Sequence, residues 1–174
     1  TLTTPRHYAY IKISEGCDSR CSFCAIPGIR GNMRSRPAQD IIDEIQSLLN
    51  RGIVEINLVG QDSASYGMDG ANPIKKEIWS QFDGTGDKKS PLCQLLEGIS
   101  QLEGKFWIRL LYIHPDHFPL DILPVMVADP RLLPYFDIPF QSGSDPIIKA
   151  MNRIGTGQEY TELVQKLKAQ TWNP

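Results

Sequence analysis

Three closely spaced cysteines, Cys17-Asp-Ser-Arg-Cys21-Ser-Phe-Cys24, are the residues of this chain best suited to chemistry. Thiols separated by three and then two residues can converge on one inorganic centre. A tetrahedral zinc site wants a fourth ligand, and none stands at a matching distance in the sequence. Iron–sulfur clusters are held by cysteine thiolates, usually four, so a loop with three implies a cluster with one iron open to a ligand that is not protein. Chemistry would happen at that open position. The competing reading is zinc, or three unrelated buried thiols. The remaining cysteine, Cys93, stands beside an apolar helical stripe and reads as a small buried hydrophobe.

To present such a loop, the chain must gather several turns at one edge. Residues 7–14 (HYAYIKIS) alternate, with Tyr8, Tyr10 and Lys12 on one side and Ala9, Ile11 and Ile13 on the other, which is the period of a strand. The cysteines follow its C-terminal end. Pro37 then opens a helix with Asp40 in its first turn and Ile41, Ile42, Ile45, Leu48 and Leu49 as its apolar stripe, closed by Gly52. Residues 53–59 form a β-branched run, a second and buried strand that stops at Gly60-Gln61-Asp62-Ser63.

A helix resumes at Pro91, with Leu92, Leu95, Leu96, Ile99 and Leu102 on one face, and residues 106–113 read as the third strand. A short helix over 120–128 is expected to be broken by Pro124, a fourth strand covers 135–140, and a last helix covers 157–170 with Tyr160, Leu163, Val164 and Leu167 aligned. Residues 67–90 break this rhythm. Rich in Gly, Asp, Asn and Lys, with scattered apolar residues such as Ile74, Ile78, Trp79 and Phe82, they read as a mobile surface insertion.

Strands alternating with helices imply right-handed crossovers and a parallel sheet, whose ligands sit at the C-terminal ends of the strands. The polar turns at that rim are the cysteine loop and residues 60–66, 114–117 and 141–145. Four strands cannot close a barrel. The expected fold is therefore α/β, an open partial (β/α) barrel of parallel strands with outer helices, whose further strands would follow Pro174.

Composition sets outer limits on function. A chain of 174 residues, 41% hydrophobic and 22% charged, is enough for one domain with a real core. A net charge of -2 argues against broad electrostatic attraction to nucleic acid. Three clustered cysteines of four suggest a reducing compartment, and the cytoplasm is the expected location. No apolar run reaches the length of a membrane span, and the first residues carry no signal-peptide pattern. Thr1 in place of an initiator Met suggests an excised piece.

Beyond the cysteines, the chain resembles the radical S-adenosylmethionine (SAM) superfamily, and within it the methylthiotransferases. The resemblance is carried by Tyr10-Ile-Lys-Ile-Ser-Glu-Gly-Cys17, the run from Ile26-Pro27 to Arg30-Gly31, Ser35-Arg36-Pro37, Gly60-Gln-Asp-Ser-Ala-Ser-Tyr-Gly67, Tyr112-Ile-His-Pro-Asp-His117 and Tyr135-Phe-Asp-Ile-Pro-Phe-Gln-Ser-Gly-Ser-Asp145. Two of these stretches look most like the branch that acts on a ribosomal protein. The branch that acts on tRNA shares the cysteine loop but typically has Asn where this chain has Asp62. The resemblance covers nearly all of 1–174, and implies the N-terminal part of a radical SAM catalytic domain, without the family's cluster-donating N-terminal domain or its C-terminal TRAM domain.

What the resemblance implies is specific. A 4Fe-4S cluster on Cys17, Cys21 and Cys24 binds the amino and carboxylate groups of SAM at its open iron and passes it an electron. The resulting 5'-deoxyadenosyl radical takes hydrogen from an unactivated carbon. The substrate is the β-carbon of an aspartate in a small-subunit ribosomal protein, and the electron comes from a donor such as flavodoxin or ferredoxin. The alternatives are a tRNA adenosine methylthiotransferase and an inactive cluster-binding fragment. With Cys93 the only other thiol, no second three-cysteine site exists in this stretch, so full turnover by this stretch alone is not expected.

Site residues follow with their blander alternatives. Phe23, between two ligands, is a candidate contact for the adenosyl group, or simply core. Gly60, Gln61 and Asp62 are candidates for the SAM amino group, or an ordinary strand-to-loop turn. Gln141 and Ser142 are candidates for the SAM or sulfur side, with Ser144 as a helix N-cap. Arg30, Arg34 and Arg36 form a basic patch that could grip a carboxylate, or a solvated loop face. His114 and His117 lack a third ligand and read as a polar rim turn that could touch substrate. No catalytic residue is assigned.

Overall fold

The computed structural model describes residues 4–71 and 75–171. The first strand, β1 (Tyr8–Lys12), is followed by a separate two-residue strand, β2 (Ser14–Glu15), and the cysteine loop leads from it into a short helix, α1 (Ile26–Arg30). A second short strand, β3 (Arg34–Ser35), pairs antiparallel with β2 and delivers the chain to α2 (Ala38–Asn50). Strand β4 (Glu55–Val59), helices α3 (Lys76–Trp79) and α4 (Pro91–Ser100), and strand β5 (Trp107–Leu110) come next. Then follow α5 (Ile122–Ala128), β6 (Leu132–Phe136), α6 (Asp145–Ala150) and α7 (Gly157–Thr171).

Strands β1, β4, β5 and β6 form one four-stranded sheet in that order, each pair parallel, as expected of an open α/β sheet. The period-2 pattern explains which face is covered: Ile11, Ile56, Leu58, Ile108 and Leu110 are buried with Ile41, Ile45, Leu92, Leu95 and Leu96 of the helices. Burial of each such side chain contributes about 1.5–3 kcal/mol. The opposite face is polar and aromatic. There Arg109 Nε donates to Glu55 Oε1 at 2.9 Å, and the same guanidinium lies 5.3 Å from the Tyr135 ring centre.

Four expectations change in the structure. The long first strand divides: Ile13 N–H makes a last bond to the Val59 carbonyl at 2.9 Å, and Ser14 and Glu15 pair antiparallel with β3 instead. The fourth strand begins earlier, at Leu132, whose buried side chain anchors it, and a tight turn in which Phe140 N–H donates to the Ile138 carbonyl ends the extended run. Helix α5 is not broken: Pro124 sits in its first turn, where the missing N–H has no partner to lose. The insertion over 67–90 is docked over its described residues, with Trp79 and Phe82 buried and Phe82 O accepting from Asp121 N–H at 3.3 Å; Ile74 lies outside them.

Cys93 lies in the core, as its helical stripe implies. It is fully buried, its thiol donates to the Asp121 carbonyl at 3.3 Å, and burial, assisted by the nearby Asp121 charge, pushes that thiol up to about 12. Such a thiol is a packing group and not a ligand. Cys93→Ala is therefore expected to cost about 1–3 kcal/mol in urea unfolding while iron uptake stays at the parent level. Loss of iron in that variant would contradict this assignment.

Candidate metal centre

The cysteine loop runs across the C-terminal rim of the sheet, and several neighbouring segments hold it. Gly16 opens it at φ +80°, where a Cβ would lie 2.2 Å from the Asn32 carbonyl oxygen, so only glycine lets the two backbones meet. Gly16 N–H donates to Gln61 Oε1 at 2.8 Å, which ties the loop to the end of β4. Cys17 N–H donates to the Gly31 carbonyl at 3.2 Å. The Asp18 carboxylate accepts from Met33 N–H at 3.1 Å and from Gly70 N–H at 3.2 Å, joining loop, β3 approach and insertion. On the far side, Ser22 N–H donates to the Met151 carbonyl at 3.0 Å, Ser22 Oγ to the Ala150 carbonyl at 2.8 Å, and Asn152 Nδ2 to the Arg20 carbonyl at 2.8 Å. The end of α6 therefore clamps the loop's middle.

All three loop cysteines are free thiols; Cys17 is buried, and Cys21 and Cys24 are partly exposed. Burial first, then the Asp62 carboxylate, pushes the Cys17 thiol up to about 11. Burial also pushes Cys21 up, against the pull of the Arg153 guanidinium beside it. Thiolate ligation by a metal must therefore expel protons from both. Among the described residues, no three His, Cys, Asp or Glu side chains are grouped to hold a single ion. The donor set, three soft thiols on one loop with Phe23 exposed between the last two, suits an iron–sulfur cluster.

Beneath the loop lies a layer the sequence reading placed elsewhere. His114 and His117 are 9% and 3% exposed, so they do not face a substrate at the rim. Their rings stack 4.3 Å apart, and Trp79 of the insertion stacks on His117 at 4.6 Å. His117 Nε2 lies 3.2 Å from Ser19 Oγ and 3.5 Å from Asp62 Oδ2; His114 Nε2 lies 3.9 Å from Cys21 Sγ. Arg153, 8% exposed, donates to the Pro139 carbonyl at 2.8 Å. This buried cation was missed, and its position after a short helix carried no sequence signal.

The other expected site residues divide. Gly60 is buried where a Cβ would meet Ser14 Oγ at 2.5 Å, so the rim packs tightly at the end of β4. Gln61 is spent on the loop backbone, and the Asp62 carboxylate is turned inward, accepting from Ser65 Oγ at 2.6 Å. Gln141 is exposed at φ +66°, and Ser142 Oγ accepts from Ser144 N–H at 3.1 Å. Ser144 stands at the N-cap of α6, but its side chain makes no capping bond there. The arginine patch does not converge: Arg30 lies 3.7 Å from Glu15, and Arg36 2.8 Å from Glu44.

An open parallel sheet with a three-thiol loop pinned at its C-terminal rim defines the radical SAM class, and the chain belongs to the Radical SAM superfamily, which it matches over residues 11–173. Within that superfamily it is similar to ribosomal protein uS12 methylthiotransferase RimO. Identity is 53% over 167 residues to the protein of Treponema denticola, covering 96% of this chain and 34% of the relative. It is 42% over 171 residues to that of Porphyromonas gingivalis, covering 97% and 35%. It is 38% over 167 residues to that of Heliobacterium modesticaldum, covering 96% and 33%. The chain thus spans about a third of the length of these relatives. Among solved structures it is similar in fold to the radical SAM methyltransferase TsrM from Kitasatospora setae, with a TM-score of 0.59 at 15% identity, covering 95% of this chain and 29% of that one. No helix among the described residues is long and apolar enough to cross a membrane.

Proposed function

We propose that Cys17, Cys21 and Cys24 hold a 4Fe-4S cluster, and that this chain is the SAM-activating core of a methylthiotransferase acting on the β-carbon of an aspartate in a small-subunit ribosomal protein. The observation that carries this reading is the position of the thiol loop: it lies where ligands of parallel sheets bind, fixed by the ends of β4 and α6 and by the insertion. Cys17, Cys21 and Cys24 would hold the cluster, and the chemistry it would supply there is the single electron needed for reductive cleavage of SAM, opening an unactivated substrate carbon to hydrogen abstraction.

The chain's own residues orient and shelter. Exposed Phe23 offers a flat apolar surface to the adenosyl group, and exposed Gln141 with half-buried Ser142, after β6, are the further candidates on the cofactor side. Gly60 brings the backbone of the β4 end close, while Gln61 and Asp62 hold the loop and the layer beneath it rather than presenting free side chains. The four free thiols fit a reducing cytoplasm, with a small electron-transfer protein such as flavodoxin or ferredoxin as donor.

The test uses the full-length protein that contains this chain, reduced anaerobically and given SAM with the ribosomal protein or, separately, tRNA. Formation of 5'-deoxyadenosine together with a methylthio-aspartate detected by mass spectrometry is the expected result. A modified adenosine in the tRNA arm alone would replace the substrate assignment with the tRNA reading. SAM left uncleaved in both arms would reduce the chain to a cluster-binding module.

A further inference from the structure

The second cysteine of the loop differs from its neighbours in what faces it. His114 leads the 3-10 turn Pro115–His117, and its Nδ1 accepts the Asp116 backbone N–H at 3.2 Å. A ring nitrogen that accepts a hydrogen bond carries no proton, so the single proton of the neutral imidazole is on Nε2. That Nε2 lies 3.9 Å from Cys21 Sγ, within sulfur hydrogen-bonding reach. The ring cannot swing away: it is buried and stacked 4.3 Å from His117, which is itself stacked on Trp79. The turn is anchored in addition, because Asp116 accepts from Ile154 N–H at 2.9 Å and from Tyr160 O–H at 2.6 Å.

We propose that His114 is a positioning residue for Cys21, donating its Nε2–H to the thiolate sulfur and thereby setting the reduction potential of the centre bound there. The inference rests on the cluster reading given above. A donor to a ligating sulfur draws electron density from it and favours the reduced, more negative state of the centre. The backbone N–H of Asp116 fixes which nitrogen holds the proton, so the donor is defined before any metal arrives.

Two variants separate this role from packing. His114→Asn keeps an acceptor for Asp116 N–H where Nδ1 stood but has no donor that reaches Sγ; His114→Gln returns an N–H near the Nε2 position. In the full-length protein, anaerobically reconstituted, iron content and the potentiometric midpoint of the cysteine-loop cluster, followed by electron paramagnetic resonance, are the readouts. For His114→Asn the reduction equilibrium is expected to move about tenfold toward the oxidised form, equivalent to a midpoint about 59 mV more negative for one electron. His114→Gln should recover most of that shift. Loss of iron from His114→Asn but not from His114→Gln would also support a donor role. An unchanged midpoint in His114→Asn, or equal loss of iron from both variants, would overturn it. Absence of iron from the unsubstituted protein would instead overturn the cluster reading itself.

Discussion

Replacing Cys17, Cys21 and Cys24 together by Ala leaves the chain without bound iron after anaerobic reconstitution, where the parent takes up about four iron and four sulfide. The effect is all-or-none because no other thiol can substitute. Cys93 is on the buried face of α4, its thiol donating to the Asp121 carbonyl, and that thiol is pushed far from ionisation. The loop itself should survive the substitutions, since it is held by backbone groups and by Gln61, Asp18, Ser22 and Asn152, none of which is changed. Circular dichroism should accordingly be close to that of the parent. Iron and sulfide analysis decides the matter: parental iron content in the triple variant would sink the assignment.

Gly16→Ala is expected to be the most damaging single methyl group that can be added near the site. At φ +80° any residue with a Cβ carries about 1–3 kcal/mol of backbone strain. The added carbon would also sit 2.2 Å from the Asn32 oxygen and 2.6 Å from the Gly31 oxygen, both backbone atoms that move only if the loop moves. Gly31→Ala is the matched control, since it has φ +76° but open space around its Cβ direction. Urea unfolding should show Gly31→Ala losing the strain term alone and Gly16→Ala losing clearly more, with iron uptake impaired only in the latter. Equal losses in the two variants would show that the contact with residues 31–32 does not constrain the cysteine loop.

Much of the framework was legible along the chain because its signals are local. The stripe Ile41, Ile45, Leu48 could be read as a helix face since residues three and four apart share one side, and all three are buried there. Alternation of Ala9 and Ile11 with Tyr8 and Tyr10 gave β1 its two faces in the same way. Local signals failed where a distant partner decides the outcome. Trp79 and Phe82 stand in a polar segment whose composition argues for exposure, yet the ring of His117 and the backbone of Asp121 are there to cover them. Pro124 is a helix breaker only in an interior turn, and its place in the first turn depends on where α5 starts.

The sequence by itself determined the strand and helix alternation, hence a parallel sheet with its turns at one rim, and it determined that three thiols stand on one of those turns. Thiol spacing and apolar period are properties of neighbours, and neighbours are fixed by covalent order. What only the tertiary structure decided is which groups surround the thiols. Gln61 meets Gly16 across 45 residues, His114 meets Cys21 across 93, His117 meets Ser19 across 98, and Ser22 meets Ala150 across 128. A histidine in the sequence carries no mark of whether it will face solvent or be stacked beneath a cysteine loop. That depends on the crossovers that bring the turn after β5 against the loop after β1, and on the burial that makes an unpaired polar group costly enough to fix its partner.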